Sequence, residues 1–365
     1  MRIANIRITD VRSLSDVVVD PDPCINLLVG PNGSGKTSFL EAVHILSLGR
    51  SFRTRKTRAV IRHEADVLTV FGQIDGDEPG ERYAIGIEKS VDGARFRVDG
   101  EEVRSVSKLA RRLPVMVIAP EGLKALLEGS EHRRRLLDWT LFHVEPRYLE
   151  VLRRYGHVLR QRNAVLRSPG GMELERELDT WDVQLAQHGE QLDALRRKHV
   201  ESSRMVAVTA EVIRNVLNED VTWEYWSGWE RDQCLLAEIT ARRSRDRQIG
   251  FTTVGPHRAD IIWRGLRGMA RENLSRGQGR LLVMAFEVAQ VGYVMGYGNV
   301  RPVLLIDDLS TELDIVSMQR FLSRIDSLGL QVFISSVLDA VVTLIRPTVS
   351  ACVFHVERGR VRRGG

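Results

Sequence analysis

Leu27-Leu28-Val29-Gly30-Pro31-Asn32-Gly33-Ser34-Gly35-Lys36-Thr37-Ser38-Phe39-Leu40 is the stretch from which the rest of the chain is read. An aliphatic run of strand length enters a loop of the form G-x-x-x-x-G-K-[ST] and leaves it in a helix-forming sequence. Gly30, Gly33 and Gly35 let backbone amides turn toward an anion, with Pro31, Asn32 and Ser34 filling the loop. The following helix N-terminus adds a favourable dipole. Lys36 is expected on β- and γ-phosphates and the Thr37 hydroxyl on Mg²⁺. Nucleoside triphosphate with Mg²⁺, meaning ATP, is the ligand this loop predicts.

A phosphate loop needs an acid to hold its metal, and Val303-Leu304-Leu305-Ile306-Asp307-Asp308 supplies one. A buried strand would deliver Asp307 at its C-terminal end, where α/β sheets place ligands. Asp308 would stand where a base orients the attacking water. Lys36, Asp307 and Asp308 are therefore the candidate catalytic residues, and Thr37 and Asp307 the metal ligands. Between loop and strand lies Leu274-Ser275-Arg276-Gly277-Gln278, before an apolar helix. It resembles the L-S-G-G-Q signature of ABC-type ATPases. That likeness implies that Ser275, Gly277 and Gln278 meet the nucleotide held by a second subunit. Asp308-Leu309-Ser310-Thr311-Glu312-Leu313-Asp314 is similar to the acidic strand and D-loop of the same ATPases.

Around these motifs the chain changes character twice. Residues 2–8, 25–29, 68–74, 83–89, 95–98 and 115–118 are short β-prone runs, with Asp92-Gly93 and Asp99-Gly100 placed for hairpin turns. From Leu123 to Asn218 the pattern is helical: Leu178, Leu185, Leu192 and Leu195 recur at helix spacing, as do Val206, Ala210, Ile213 and Leu217. Two or three helices are expected, none long enough for a long coiled coil. After residue 250 strands at 261–263, 303–306, 331–335 and 352–356 alternate with helices near 277–294 and 315–328, which predicts a largely parallel, buried sheet. The fold class is α/β. An ATPase head is built from residues 1–120 and 251–365, with a helical arm inserted at 121–250.

The whole chain of 365 residues carries 53 basic and 48 acidic side chains, a net charge of +5. The excess sits on the two ends that form the head, and the insert is near neutral. Within 50–62, Arg50, Arg53, Arg55, Lys56, Arg58 and Arg62 occur without an acid, directly after the phosphate-loop helix. Arg50, Arg53, Arg55, Lys56 and Arg58 are candidate DNA-phosphate contacts, a solvated loop being the alternative. Trp223, Tyr225 and Trp229 could stack on single strands, although core packing is favoured. The three cysteines are scattered, which argues against disulfides and zinc. No apolar stretch reaches transmembrane length, so a cytoplasmic, non-membrane protein is expected.

The chain resembles, nearly end to end, the RecF family of bacterial DNA replication and repair proteins, related to the SMC-like repair ATPases. The likeness rests on Gly49-Arg50-Ser51-Phe52-Arg53-Thr54, Arg133-Arg134-Arg135-Leu136-Leu137-Asp138, Arg160-Gln161-Arg162-Asn163, Trp181-Asp182, Gly255-Pro256-His257-Arg258-Ala259-Asp260 and Ser275-Arg276-Gly277-Gln278. It departs at Gly279 after the signature, at Ala259 in place of an acid, and at Asp308 where ABC ATPases carry Glu. Ser335 and Ser336 stand where transporters keep a switch histidine. The resemblance implies an ATP-dependent homodimer on single- and double-stranded DNA, at gap junctions, working with RecR and RecO in recombinase loading and the SOS response, with slow hydrolysis. His257 is expected to position groups near the nucleotide or dimer face. The rivals are a non-hydrolysing DNA clamp, an ABC transporter subunit and a small-molecule kinase.

Overall fold

The computed structural model describes residues 1–78, 80–119, 129–168, 171–217, 221–265, 268–269, 274–297, 300–309, 314–337 and 351–364. The chain divides into two compact units. One comprises residues 1–123, 215–218 and 276–365; the other comprises 124–214 and 219–275.

The first unit holds two six-stranded sheets. One is antiparallel. It is built from β1 (Arg2–Val11), β2 (Leu14–Val19), β4 (Val67–Asp75), β5 (Arg82–Ser90), β6 (Ala94–Val98) and β7 (Glu101–Glu102), in the order β2-β1-β4-β5-β6-β7. Its strands alternate buried and exposed residues, as in the pattern of Leu68, Val70, Gly72 and Ile74 facing inward along β4. The Asp92-Gly93 and Asp99-Gly100 turns join β5 to β6 and β6 to β7 in antiparallel register.

The other sheet has the order β15-β14-β3-β13-β12-β8. It comprises β3 (Ile25–Val29), β8 (Val115–Ile118), β12 (Val303–Ile306), β13 (Val332–Ser336), β14 (Ala351–Glu357) and β15 (Arg360–Arg363). All neighbours are parallel except the β14–β15 hairpin. β3, β12 and β13 are buried at every residue, the property of a parallel sheet covered on both faces. The helix α1 (Lys36–Leu48) lies between the sheets, contributing Phe39, Leu40, Val43 and Leu46 to a core that also takes Ile6, Ile85, Leu305 and Phe333.

The second unit is mainly helical, with helices at Ser130–Val144, Tyr148–Leu166, Met172–Val200, Leu235–Ala241 and Arg243–Ile249, and most of Ser203–Leu217. There are more helices than the two or three expected, and Met172–Val200 has 29 residues, about 43 Å of α-helix. Leu178, Leu185 and Leu192 are buried as the periodicity required. On Ser203–Leu217 the buried face is Met205, Thr209, Val212, Ile213 and Val216, and Val206 is 45% exposed. Of the 206/210/213/217 stripe, Ile213 is buried as expected, while the other three give way to a neighbour one position earlier, because apolar residues flank both possible faces.

Residues 251–275, expected with the head, belong to the second unit. β10 (Asp260–Gly265) pairs antiparallel with β9 (Thr222–Trp226) and with β11 (Gly268–Met269) in a three-stranded sheet. Ile261–Trp263 therefore forms no part of the parallel sheet. Its partner is the aromatic strand Trp223–Trp226, a pairing that alternation alone does not specify.

Candidate functional site

The phosphate loop leaves β3 at Val29, and the acidic pair leaves β12 at Ile306; β13 runs between them. Strand spacing puts β3 and β12 about 10 Å apart, and α1 spans the gap with its second residue. Thr37 Oγ1 donates to Asp307 Oδ1 at 2.9 Å. Ser335, at the end of β13, donates its hydroxyl to the same carboxylate oxygen at 2.6 Å and accepts the Asp308 amide at 2.9 Å. The Asp307 amide donates to the Ile118 carbonyl at 2.8 Å, which closes the strand end against β8.

A cavity of about 250 Å³ opens here. It is lined by Asn32, Gly33, Ser34, Gly35, Lys36, Thr37, Ser38, Arg53, Asp307, Asp308, Ser335, Ser336 and Val337. The Gly30 and Pro31 carbonyls accept from Lys36 Nζ at 2.7 and 2.8 Å. A Cβ at Gly30 would lie 2.1 Å from the Val356 carbonyl oxygen, so only glycine lets the loop start this close to β14. Gly35, at φ 117°, is the residue from which α1 begins; left-handed backbone of this kind builds anion-binding nests.

The electrostatics follow from the burial. Lys36 is 7% exposed. Burial pushes its ammonium below the ordinary value, and Asp308 and Asp307 pull the other way. Asp308 holds φ at 55°, a left-handed conformation that Asp adopts more readily than Glu. Its carbonyl accepts from Arg280 Nη2 at 2.8 Å. Arg280 lies on the helix Arg276–Met295.

The donor set fits the ligand that the loop predicts. Among the described residues no group of three or more His, Cys, Asp or Glu forms a metal cage. Thr37 and Asp307 instead offer a pair of hard oxygens, as suits Mg²⁺, which keeps most of its waters. Ser34 Oγ is buried without a protein partner, leaving a donor for an incoming oxygen.

The basic loop after α1 is tethered from below. Glu41 of α1 is fully buried. It receives Arg12 Nε and Nη2 at 2.9 and 3.0 Å and the Ser51 hydroxyl. Ser51 Oγ in turn accepts the Arg53 and Thr54 amides at 3.0 and 3.1 Å. The buried ring of His44 bonds the Arg50 carbonyl at 2.7 Å, and burial depresses its pKa to about 4. Arg53 therefore faces the phosphate cavity, whereas the sequence grouped it with the DNA contacts. Arg50, Arg55, Lys56 and Arg58 are exposed. Arg62 pairs with Asp10 at 3.5 Å.

Ser275 is exposed one residue before the helix Arg276–Met295, and Gly277 and Gln278 open that helix, half-buried. Gly277 and Gln278 do not contribute to the described wall of the cavity. Asp314 caps the helix Ile315–Asp326 by accepting from the Ser317 amide at 2.9 Å. Residues 310–313 of the expected D-loop lie outside the described residues.

The arm motifs turn out to be structural. Arg133 forms a two-point ion pair with Asp260 at 2.6 and 3.0 Å, and Arg134 donates to the Ala259 carbonyl at 2.7 Å. Arg162 is fully buried and bridges Asp182 at 2.6 Å and Asp246 at 2.8 Å. His257 accepts from Tyr155 at 2.6 Å through Nδ1 and donates Nε2–H to the Thr252 carbonyl at 3.0 Å. Burial holds its pKa near 4. Its surroundings are the arm's own side chains. Trp229 is buried, while Trp226, which the sequence reading passed over, is 42% exposed.

Residues 2–361 match the family described as RecF/RecN/SMC N terminal domain. The chain is 38% identical over 368 residues to the DNA replication and repair protein RecF of Azotobacter vinelandii, covering 99% of this chain and 98% of that one. The RecF of Chromohalobacter salexigens is 38% identical over 371 residues, covering 99% of each. The chain belongs to the RecF family. A solved structure of the recombination mediator protein RecF with ATP shares its fold at a TM-score of 0.85 and 24% identity, covering 100% of this chain and 97% of that one. The Smc head domain of Pyrococcus furiosus aligns at 0.58 and 13% identity, covering 99% of this chain and 95% of that one. Ser335 is the member of this RecF-family site that sequence reading valued only as a missing histidine. No sequence signal marked its role, because the strand order that sets β13 between loop and acid is a tertiary property.

Proposed function

We propose that this RecF-family chain is an ATP-dependent DNA-binding switch of replication and recombinational repair. The observation that carries the reading is the convergence of Lys36, Thr37, Asp307 and Asp308 on one cavity, with Arg53 from the tethered basic loop on its wall. Bound ATP supplies a γ-phosphate with Mg²⁺ to neutralise its charge. Lys36 would leave the Gly30 and Pro31 carbonyls for phosphate oxygens. Thr37 and Asp307 would hold the metal, and Asp308 would orient a water. Arg53 gives the basic loop a direct interest in nucleotide state, so Arg50, Arg55, Lys56 and Arg58 would present to DNA differently with ATP bound.

The exposed Ser275 and the helix it precedes suit capture of a nucleotide held by a second copy. On this reading ATP bridges a homodimer on single- and double-stranded DNA, with gap junctions, RecR and RecO as the family's implied partners. A cytoplasmic location and slow, switch-like turnover complete it. Such a ligand shifts the monomer–dimer balance only by the contacts it makes across the interface. Light scattering with ATP and Mg²⁺, wild type against Ser275→Arg, tests it: wild type should dimerise and the variant should not. A wild type that stays monomeric with and without DNA refutes the shared-nucleotide mechanism.

A further inference from the structure

The near-neutral charge of the arm conceals a segregation that only folding reveals. Most of its arginines with an assigned role face carboxylates: Arg133 with Asp260, Arg162 with Asp182 and Asp246, Arg196 with Asp138, Arg243 with Asp182. The outer face of the helix Tyr148–Leu166 is different. Arg153, His157, Arg160, Ala164 and, one residue past the helix, Arg167 are all exposed. At 100° per residue these positions fall within about 80° of arc, a single stripe.

Among the described residues, Arg153, Arg160 and Arg167 enter no ion pair, and Glu150, the only acid within this helix, pairs with Arg154. Their spacing of seven residues sets the guanidiniums about 10 Å apart and the stripe about 21 Å long. At the Arg167 end the stripe meets the loop at Gly250, whose Cβ position lies 3.1 Å from Arg167 Cγ. The next residue, Phe251, is 43% exposed, with Arg258 stacked 5.5 Å from its ring centre.

We propose that this face is a phosphate-tracking surface for one strand of nucleic acid. Unpaired exposed arginines in a row are what a polyanion requires. For a strand that keeps the stacked rise of a duplex, about 3.4 Å per phosphate, each arginine step spans about three nucleotides and the stripe about six. The exposed Phe251 offers a ring on which a base at the end of the tract stacks. Ala164 adds little bulk between Arg160 and Arg167. The proposal rests on the DNA-binding reading above and moves part of the contact from the head to the arm.

The test is fluorescence anisotropy on labelled single-stranded DNA with ATP and Mg²⁺ across a salt series. It compares wild type, R153A/R160A/R167A, R153K/R160K/R167K and the off-stripe control R176A/K198A. Three lost phosphate contacts at about 0.7 per contact flatten the log–log salt slope by about 2 and weaken binding near 0.1 M salt about 100-fold. The lysine variant should keep most of the slope, and the control should resemble wild type. All five positions are exposed, and unchanged melting and ATP binding establish that the variants are folded. An alanine variant with wild-type slope and affinity overturns the inference, as it would if the stripe served an acidic protein. A wild type that does not bind DNA overturns the DNA-binding reading itself.

Discussion

Replacing Ser335 by alanine separates a site assembled by β13 from one assembled by the phosphate loop and acidic strand alone. Ser335 is 1% exposed and Asp307 8%, so neither group is rescued by bulk water. The substitution deletes a hydrogen bond to a carboxylate, at 2.6 Å, and the acceptor of the Asp308 amide, at 2.9 Å. The first is charge-assisted, about 1.5–3 kcal/mol, and the second about 1 kcal/mol. Part of this appears as lost stability and part as misplacement of the two acids. If half reaches the chemical step, turnover falls about 10- to 30-fold. ATP binding changes much less, because Lys36 and the loop amides are untouched. Ser335→Thr keeps the hydroxyl and should retain more activity. Phosphate release with and without DNA, beside equilibrium binding of a fluorescent ATP analogue, reads both quantities, with Lys36→Ala as the background. Wild-type turnover and melting in Ser335→Ala would refute the argument that Ser335 positions Asp307 and Asp308.

Other outcomes follow from the same structure. Arg162→Ala leaves Asp182 and Asp246 buried without their shared cation and should destabilise the arm by about 3–5 kcal/mol, measured by calorimetry. His44 and His257 each titrate near 4 in the folded chain against 6.5 when free. The unfolded chain therefore binds more protons between pH 6.5 and 4, and stability should fall as pH drops through that window, by up to about 3 kcal/mol per histidine. A melting temperature flat from pH 7 to 4.5 would contradict this. Glu287 is fully buried with one carboxyl oxygen unpartnered, and burial drives its pKa well above the usual range. Here the folded state holds the extra proton, so this group's contribution is lost as pH rises above about 4.5. Glu287→Gln should raise the melting temperature at neutral pH and remove that slope. Arg53→Ala should weaken ATP binding or turnover at least as much as DNA affinity, while Arg55→Ala should affect DNA affinity alone; identical behaviour would deny Arg53 its place on the cavity wall.

The reach of sequence reading differed by element. Gly30–Thr37 and Val303–Asp308 were legible because each couples a strand of uniform hydrophobicity to a residue pattern that only phosphate and metal chemistry requires. Elsewhere local pattern left two answers. The helix Ser203–Leu217 carries apolar residues on adjacent faces, and packing chose Met205 over Val206. Ile261–Trp263 read as a buried strand and is one, but strand alternation does not name a partner, and it joined the arm. The arginine motifs of the arm entered only as family likeness, and their partners came from the fold: Arg133 and Arg162 hold the arm together by pairing with acids 127 and 20 residues away.

Sequence by itself determined the α/β class, the phosphate loop, its acidic partner and the family, since all are written in local pattern and order. The strand order β3-β13-β12 was decided only in three dimensions, and with it the entry of Ser335 between loop and acid. So were the tethering of Arg53 to the cavity and the sorting of the arm's arginines into paired ones and an exposed stripe. The physical reason is the same in each case: a charge or hydroxyl acts through what lies within a few ångströms, and sequence distance does not report that.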